Sequence, residues 1–321
     1  MSKSDNLLRL EHVSKNFDLK GRGEVNAVRD VSLTVKSGEI VGIVGESGCG
    51  KSTLARLITC IEPVTCGQIF FDVREISSFR GKELRAYRKQ VQMIFQDPSN
   101  VFSPRMKIGT FLMEPWRNFE HTSRPEAMRL AVEALKNVNL DEDYLKKYPH
   151  QLSGGELQRI SIARAVALHP KLLICDEATS ALDVSTQSQI INLLKDNHKK
   201  SEYSILMISH DLALAENFCD RIAVMYLGSI VEILPGRGLR KNARHPYTKA
   251  LLDSVFSVHG DPEKKIRILT GEPPSPVNVP AGCAFCGRCP YGDSKCERET
   301  PQLKNIDFQH QVACHKEELP R

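Results

Sequence analysis

The chain has 321 residues, 41% of them hydrophobic, and its 44 basic and 39 acidic side chains leave a formal charge of +5. That length accommodates one large core and a smaller appendix and excludes a short peptide-like fold. Both signs are interspersed, without the concentrated basic face of a nucleic-acid binder, so no nucleic-acid partner is expected. No run reaches the roughly 18 to 20 apolar residues of a membrane-spanning helix, and residues 1–6 are polar without an apolar signal core, so a cytosolic chain is expected.

In chain order, residues 7–13 and 31–35 alternate as strands do and are separated by a polar, glycine-bearing loop at 20–26, which predicts a small antiparallel region. Residues 40–44 read as a buried strand, followed by a glycine-rich loop and a helical run at 52–59, a strand-loop-helix unit. Helices are predicted over 110–140 and 156–168, the second opening on Ser153 and its following glycines. The short apolar runs 172–175 and 204–208 suit core strands of a parallel sheet, and 222–231 is the last sheet-like piece. Past residue 244 the texture changes to a helix at 246–254, a proline-rich segment at 272–280 and a cysteine cluster. Two domains are expected, 1–244 and 245–321.

Gly45-Glu46-Ser47-Gly48-Cys49-Gly50-Lys51-Ser52, followed by Thr53, satisfies the phosphate-loop pattern in its required strand-loop-helix setting. Glycines turn successive backbone N–H groups onto the phosphates, Lys51 adds a cation, and Ser52 offers an oxygen to Mg²⁺. The helix dipole points its positive end at the same charges. ATP and Mg²⁺ are the cofactors this pattern calls for. Downstream, the apolar run 171–175 ends in Asp176-Glu177. Asp176 is the candidate for the Mg²⁺ side, and Glu177, one residue on, is the candidate general base that polarises the attacking water. On its own such an acidic pair is ordinary loop chemistry; the phosphate loop upstream gives it weight.

Between these motifs lies Leu152-Ser153-Gly154-Gly155-Glu156-Leu157-Gln158-Arg159, which resembles the signature of ABC-transporter ATPases. The resemblance implies an α/β fold: an ABC-type phosphate-loop ATPase with a RecA-like parallel-sheet core, an antiparallel β subdomain and an α-helical subdomain, here followed by a small cysteine-rich C-terminal extension. It also implies roles for Gln96 in Phe95-Gln96-Asp97-Pro98 as the Q-loop glutamine, coupling the Mg²⁺ site to the helical subdomain. Ser180-Ala181-Leu182-Asp183 becomes the D-loop, with Asp183 at the nucleotide interface, and His210 the switch histidine. Phe17 stands where the family places a ring under adenine, with a plain core role as its alternative. Ser153, Gly154, Gly155 and Glu156 would cover the γ-phosphate of a second subunit. Glutamine is commonest at position 156, and the carboxylate here raises the question of a weakened half-site.

Further segments, among them Arg88 to Pro98, Ser103-Pro104-Arg105-Met106, His245-Pro246-Tyr247-Thr248 and Gly271-Glu272-Pro273-Pro274-Ser275-Pro276, resemble the oligopeptide and dipeptide importer ATPases over nearly the whole chain. Asp72-Val73 departs from that group, which more typically has a glycine turn there. The resemblance implies an ATP-hydrolysing subunit at the cytoplasmic face of the inner membrane, attached peripherally. Its expected partners are a second related ABC ATPase, two transmembrane permeases and, through them, an extracytoplasmic solute-binding protein. Alternatives are an importer of nickel or metal chelates, an exporter ATPase, or a soluble ABC ATPase. The group's tail carries C-x5-C-x6-C and a distant cysteine, matched here by Cys283, Cys289, Cys296 and Cys314. Four such cysteines suit either zinc or an iron-sulfur cluster, and their spacing leaves that choice open; the resemblance implies a 4Fe-4S cluster, with zinc or unliganded thiols as alternatives and Cys286 as a substitute ligand.

Overall fold

The computed structural model describes residues 6–21, 23–180, 182–201, 203–254, 271, 274–277 and 279–316, the side chain of residue 99 excepted. The chain divides into two compact units: Met1–Val35, Ile40–Ser78 and Met207–Arg321 form one, Lys36–Glu39 and Phe79–Leu206 the other. Ala181 of the D-loop and Glu272-Pro273 of the proline-rich segment lie outside the described residues.

The first unit holds strands of two sheets. In one, Asn6–Asp18 lies between Glu24–Lys36 and Cys66–Phe71, and Arg74–Glu75 closes the edge. Its apolar alternation points Leu8, Leu10 and Val13 into the core at 1% exposure or less, the pattern of a sheet with one buried face. In the other, the fully buried strand Ile40–Val44 runs parallel to Arg221–Tyr226. Continuous burial on both faces explains why neither strand alternates. The sheet continues antiparallel through Ser229–Pro235 and His310–Val312 to Lys304–Asp307.

Those last two strands were not foreseen from the sequence. The tail docks on its unit. Phe285 is 2% exposed, with its ring 5.3 Å from that of Tyr226 and 5.4 Å from that of Tyr247. A second anchor is Glu232, wholly buried. Its carboxylate accepts from the backbone N–H groups of Arg244 and His245 at 2.7 and 3.1 Å and faces His310 Nε2 at 2.8 Å, so a buried carboxylate is compensated on several sides.

The second unit combines parallel strands with helices. Val91–Ile94 and Leu172–Asp176 pair in parallel with Ile94 opposite Cys175. The predicted helical stretch 110–140 is two helices, Ile108–Phe119 and Arg124–Lys136. The break falls where Pro125 occupies the first turn of the second helix, a position that tolerates its missing N–H. Two further helices, Gly81–Gln90 and Val184–Ser201, carry mostly polar residues and were not singled out from the sequence. The expected α/β class holds.

Candidate functional site

The phosphate loop leaves the buried strand Ile40–Val44 and delivers the chain into the helix Lys51–Ile58. Two glycines are required by close backbone approach. A Cβ on Gly50, whose φ is 104°, would sit 2.1 Å from the carbonyl oxygen of Ala27, and one on Gly45 would sit 2.1 Å from that of Met225. At Gly50 the first obstacle to a side chain is this unit's own backbone. Ser47 and Gly48 are exposed, Glu46, Gly50, Ser52 and Thr53 half-buried, and Cys49 and Lys51 buried.

Lys51 Nζ donates to the carbonyl oxygens of Gly45 and Glu46, both at 2.8 Å, so the ammonium is held inside the loop. Burial pushes the Cys49 thiol up against the opposing pull of Lys51. Glu46 is fixed at both ends: its N–H donates to Tyr247 Oη at 2.9 Å, and its carboxylate accepts two bonds from Arg288. Tyr247 and Arg288 were not predicted as site residues. No local signal betrays them, since 201 and 242 positions separate them from Glu46.

Phe17 is half-buried, and Lys15 Nζ lies 4.7 Å from its ring centroid, a cation–π arrangement. His210, in the same unit, is exposed just after the strand Ser204–Ser209. The next residue, Asp211, caps the helix Leu212–Phe218 by accepting from Leu214 N–H at 3.0 Å.

In the second unit Asp176 ends its strand at 5% exposure. Glu177 follows with φ 45°, the left-handed region that costs a non-glycine residue about 1–3 kcal/mol. Its carbonyl accepts from the N–H and Oγ of Ser180 at 3.1 and 3.0 Å, which holds the turn. Gln96 Nε2 donates to Glu177 Oε2 at 2.8 Å, so the predicted Q-loop glutamine and the predicted base meet.

The signature is built as a helix start. Ser153 Oγ accepts from Glu156 N–H at 3.3 Å, and Glu156 Oε2 accepts from Ser153 N–H at 2.7 Å and Ser153 Oγ–H at 2.8 Å. This is a capping box. The Tyr144 hydroxyl donates to the other carboxylate oxygen, and these bonds, Tyr144 first, hold the Glu156 pKa down. The carboxylate that raised doubt as an extra negative charge thus serves its own helix. A Cβ on Gly155 would lie 2.7 Å from Thr186 Cγ2, so this glycine allows close packing of the signature on the following helix. Asp183 caps that helix, accepting from Thr186 N–H at 3.0 Å, and this backbone bond lowers its pKa.

The expected metal centre in the tail is not supported. Among the described residues no three His, Cys, Asp or Glu side chains come together to hold a metal ion, and all ten cysteines are thiols outside any disulfide. Cys283, Cys289, Cys296 and Cys314 do share one neighbourhood, because the last three each act on Cys283 electrostatically. In the metal-free chain, burial pushes Cys283 up to about 11 and raises Cys289 and Cys314. Cys286, the expected substitute, is likewise raised.

Comparison with known proteins agrees with this geometry. Residues 28–180 match the ABC transporter family and residues 231–296 match the oligopeptide/dipeptide transporter C-terminal region. A probable peptide ABC transporter ATP-binding protein of Sinorhizobium fredii is 44% identical, with 97% of this chain and 90% of the relative aligned. A di/tripeptide transport ATP-binding protein of Pseudomonas aeruginosa is also 44% identical over 97% of this chain and 96% of its own length. A dimeric ATP-binding cassette in a post-hydrolysis state, bound to ADP and Pi, superposes with a TM-score of 0.66 at 31% identity, covering 72% of this chain and 99% of that one.

Proposed function

This chain belongs to the ATP-binding proteins of peptide-importing ABC transporters, and from that premise we propose how its residues divide the work. It hydrolyses ATP to energise a peptide importer. The contact between Gln96 and Glu177 carries the reading most directly, because it joins the candidate base to the residue that would report its state to the helical region.

In this reading the loop from Gly45 to Thr53 binds the phosphates through backbone N–H groups and Lys51, while Ser52, Asp176 and Gln96 serve Mg²⁺. Glu177 accepts the proton of the attacking water, His210 senses the γ-phosphate, and Phe17 lies under adenine. Ser153 to Glu156 and Asp183 act on nucleotide held by a second, related ATPase. ATP then joins two half-sites, and loss of the γ-phosphate removes the advantage of the closed pair. The dimeric cassette with ADP and Pi supports such a cycle.

No helix among the described residues is long and apolar enough to cross a membrane. In the proposed assembly the path for cargo belongs to two permease subunits, supplied by a solute-binding protein, with this chain peripheral on the cytoplasmic face, a reading supported by its relatives among peptide transport ATP-binding proteins. The cargo class is tested by reconstituting the assembled transporter in vesicles and measuring ATP-dependent uptake of a labelled dipeptide, a labelled longer peptide and a nickel chelate. Peptide uptake is expected; uptake of the nickel chelate alone would replace peptide import with the metal-chelate alternative.

A further inference from the structure

Arg288 sits in the short helical turn Cys286–Arg288, yet its side chain, 7% exposed, belongs to the surroundings of the phosphate loop. Nη1 and Nη2 donate to Glu46 Oε2 and Oε1 at 2.9 and 3.0 Å, and Nη1 also reaches Tyr226 Oη at 3.4 Å. The two-pronged match of guanidinium to carboxylate is the strong, directional form of ion pair. Phe285, three residues earlier, anchors the turn among Tyr226, Tyr247 and His245. Tyr247 in turn accepts from Glu46 N–H at 2.9 Å. The pairing with Glu46 holds the Arg288 pKa above its ordinary value.

Glu46 is an awkward residue for its place, a carboxylate inside the loop that must gather a triphosphate. Left unpaired and half-buried, it would repel that ligand, and in a site partly shielded from water the repulsion is worth about tenfold or more in affinity. Arg288 removes this charge and, through two bonds, fixes the loop residue that carries it. We infer that Arg288 is a positioning residue for nucleotide binding, so that the C-terminal tail is a working part of the ATP site. The inference rests on reading residues 45–53 as the ATP loop.

Equilibrium binding of Mg·ATP to the purified full-length chain tests it. Arg288→Gln is expected to raise the Kd about tenfold or more. Arg288→Lys, which keeps the charge and gives up the two-pronged geometry, should fall between Arg288→Gln and wild type, and it stays readable if the glutamine variant fails to fold. Charge relief has a signature that simple loss of packing lacks: Glu46→Gln combined with Arg288→Gln should bind ATP more tightly than Arg288→Gln alone. Lys51→Ala is the separate control, because wild-type ATP binding by that variant would undo the loop assignment itself. With the control impaired as expected, wild-type Kd values for both Arg288 variants, or a double variant no better than Arg288→Gln, overturn the inference.

Discussion

Gln96 and Glu177 are joined by a hydrogen bond of 2.8 Å, and the register of two parallel strands explains it. Ile94 lies opposite Cys175, and Gln96 and Glu177 each stand two positions beyond these paired strand residues. The amide therefore meets the carboxylate without any sequence proximity, and its donor fixes the direction in which Glu177 presents its carboxylate.

Glu177→Gln is expected to lower steady-state ATP hydrolysis by about 10²- to 10⁴-fold, the usual worth of a positioned base, while Mg·ATP binding persists. Phosphate release by the assembled transporter and equilibrium nucleotide binding measure the two halves. Near wild-type turnover would remove Glu177 from the role of base.

Glu156 gives a second prediction because its carboxylate closes the capping box with Ser153. Glu156→Ala should cost about 1 kcal/mol of stability, read from denaturant midpoints at constant slope. Glu156→Gln keeps an acceptor for Ser153 N–H and is expected to lose less. Equal losses in the two variants would show that the cap does not depend on the acceptor.

The hairpin joining Cys66–Phe71 to Arg74–Glu75 turns on Asp72 and Val73, with φ 48° and 65°. Both lie in the left-handed region that two-residue hairpins demand, and a β-branched residue is poorly suited to it. Val73 is also 70% exposed and contributes little burial. Val73→Gly should therefore stabilise by about 1 kcal/mol, strain relief outweighing the added chain entropy. A lowered melting temperature would contradict this account of the turn.

His245 supplies a pH dependence. Burial pushes it down to about 4 from 6.5, against the opposing effect of Glu232, and its Nδ1 accepts from Tyr247 N–H at 3.1 Å. The unfolded chain protonates this ring first, so stability is full above about pH 6.5 and declines as pH falls towards 4. The loss is at most about 3 kcal/mol. Melting temperatures over that window should fall less steeply for His245→Asn than for wild type; parallel slopes would remove His245 as the titrating group.

Much of the site is legible in the sequence because its chemistry is local. A phosphate loop needs glycines, a lysine and a serine within eight positions, and the signature Ser153-Gly154-Gly155-Glu156 contains the serine-to-glutamate spacing of a capping box, a local pattern sufficient to account for Glu156. The order of the motifs, together with the full-length resemblance, likewise carried the α/β class and the ATPase assignment. The tertiary structure alone decided which distant groups meet: Gln96 with Glu177 through strand register, and Glu46 with Arg288 across 242 positions. It also brought Cys289, Cys296 and Cys314 into the neighbourhood of Cys283. Caps, turns and loop conformations are set by φ preferences and by donors a few residues apart, which a sequence displays. Charge neutralisation of Glu46 depends on what packing brings alongside, and that is fixed only when Phe285 docks among Tyr226, Tyr247 and His245 and carries Arg288 with it.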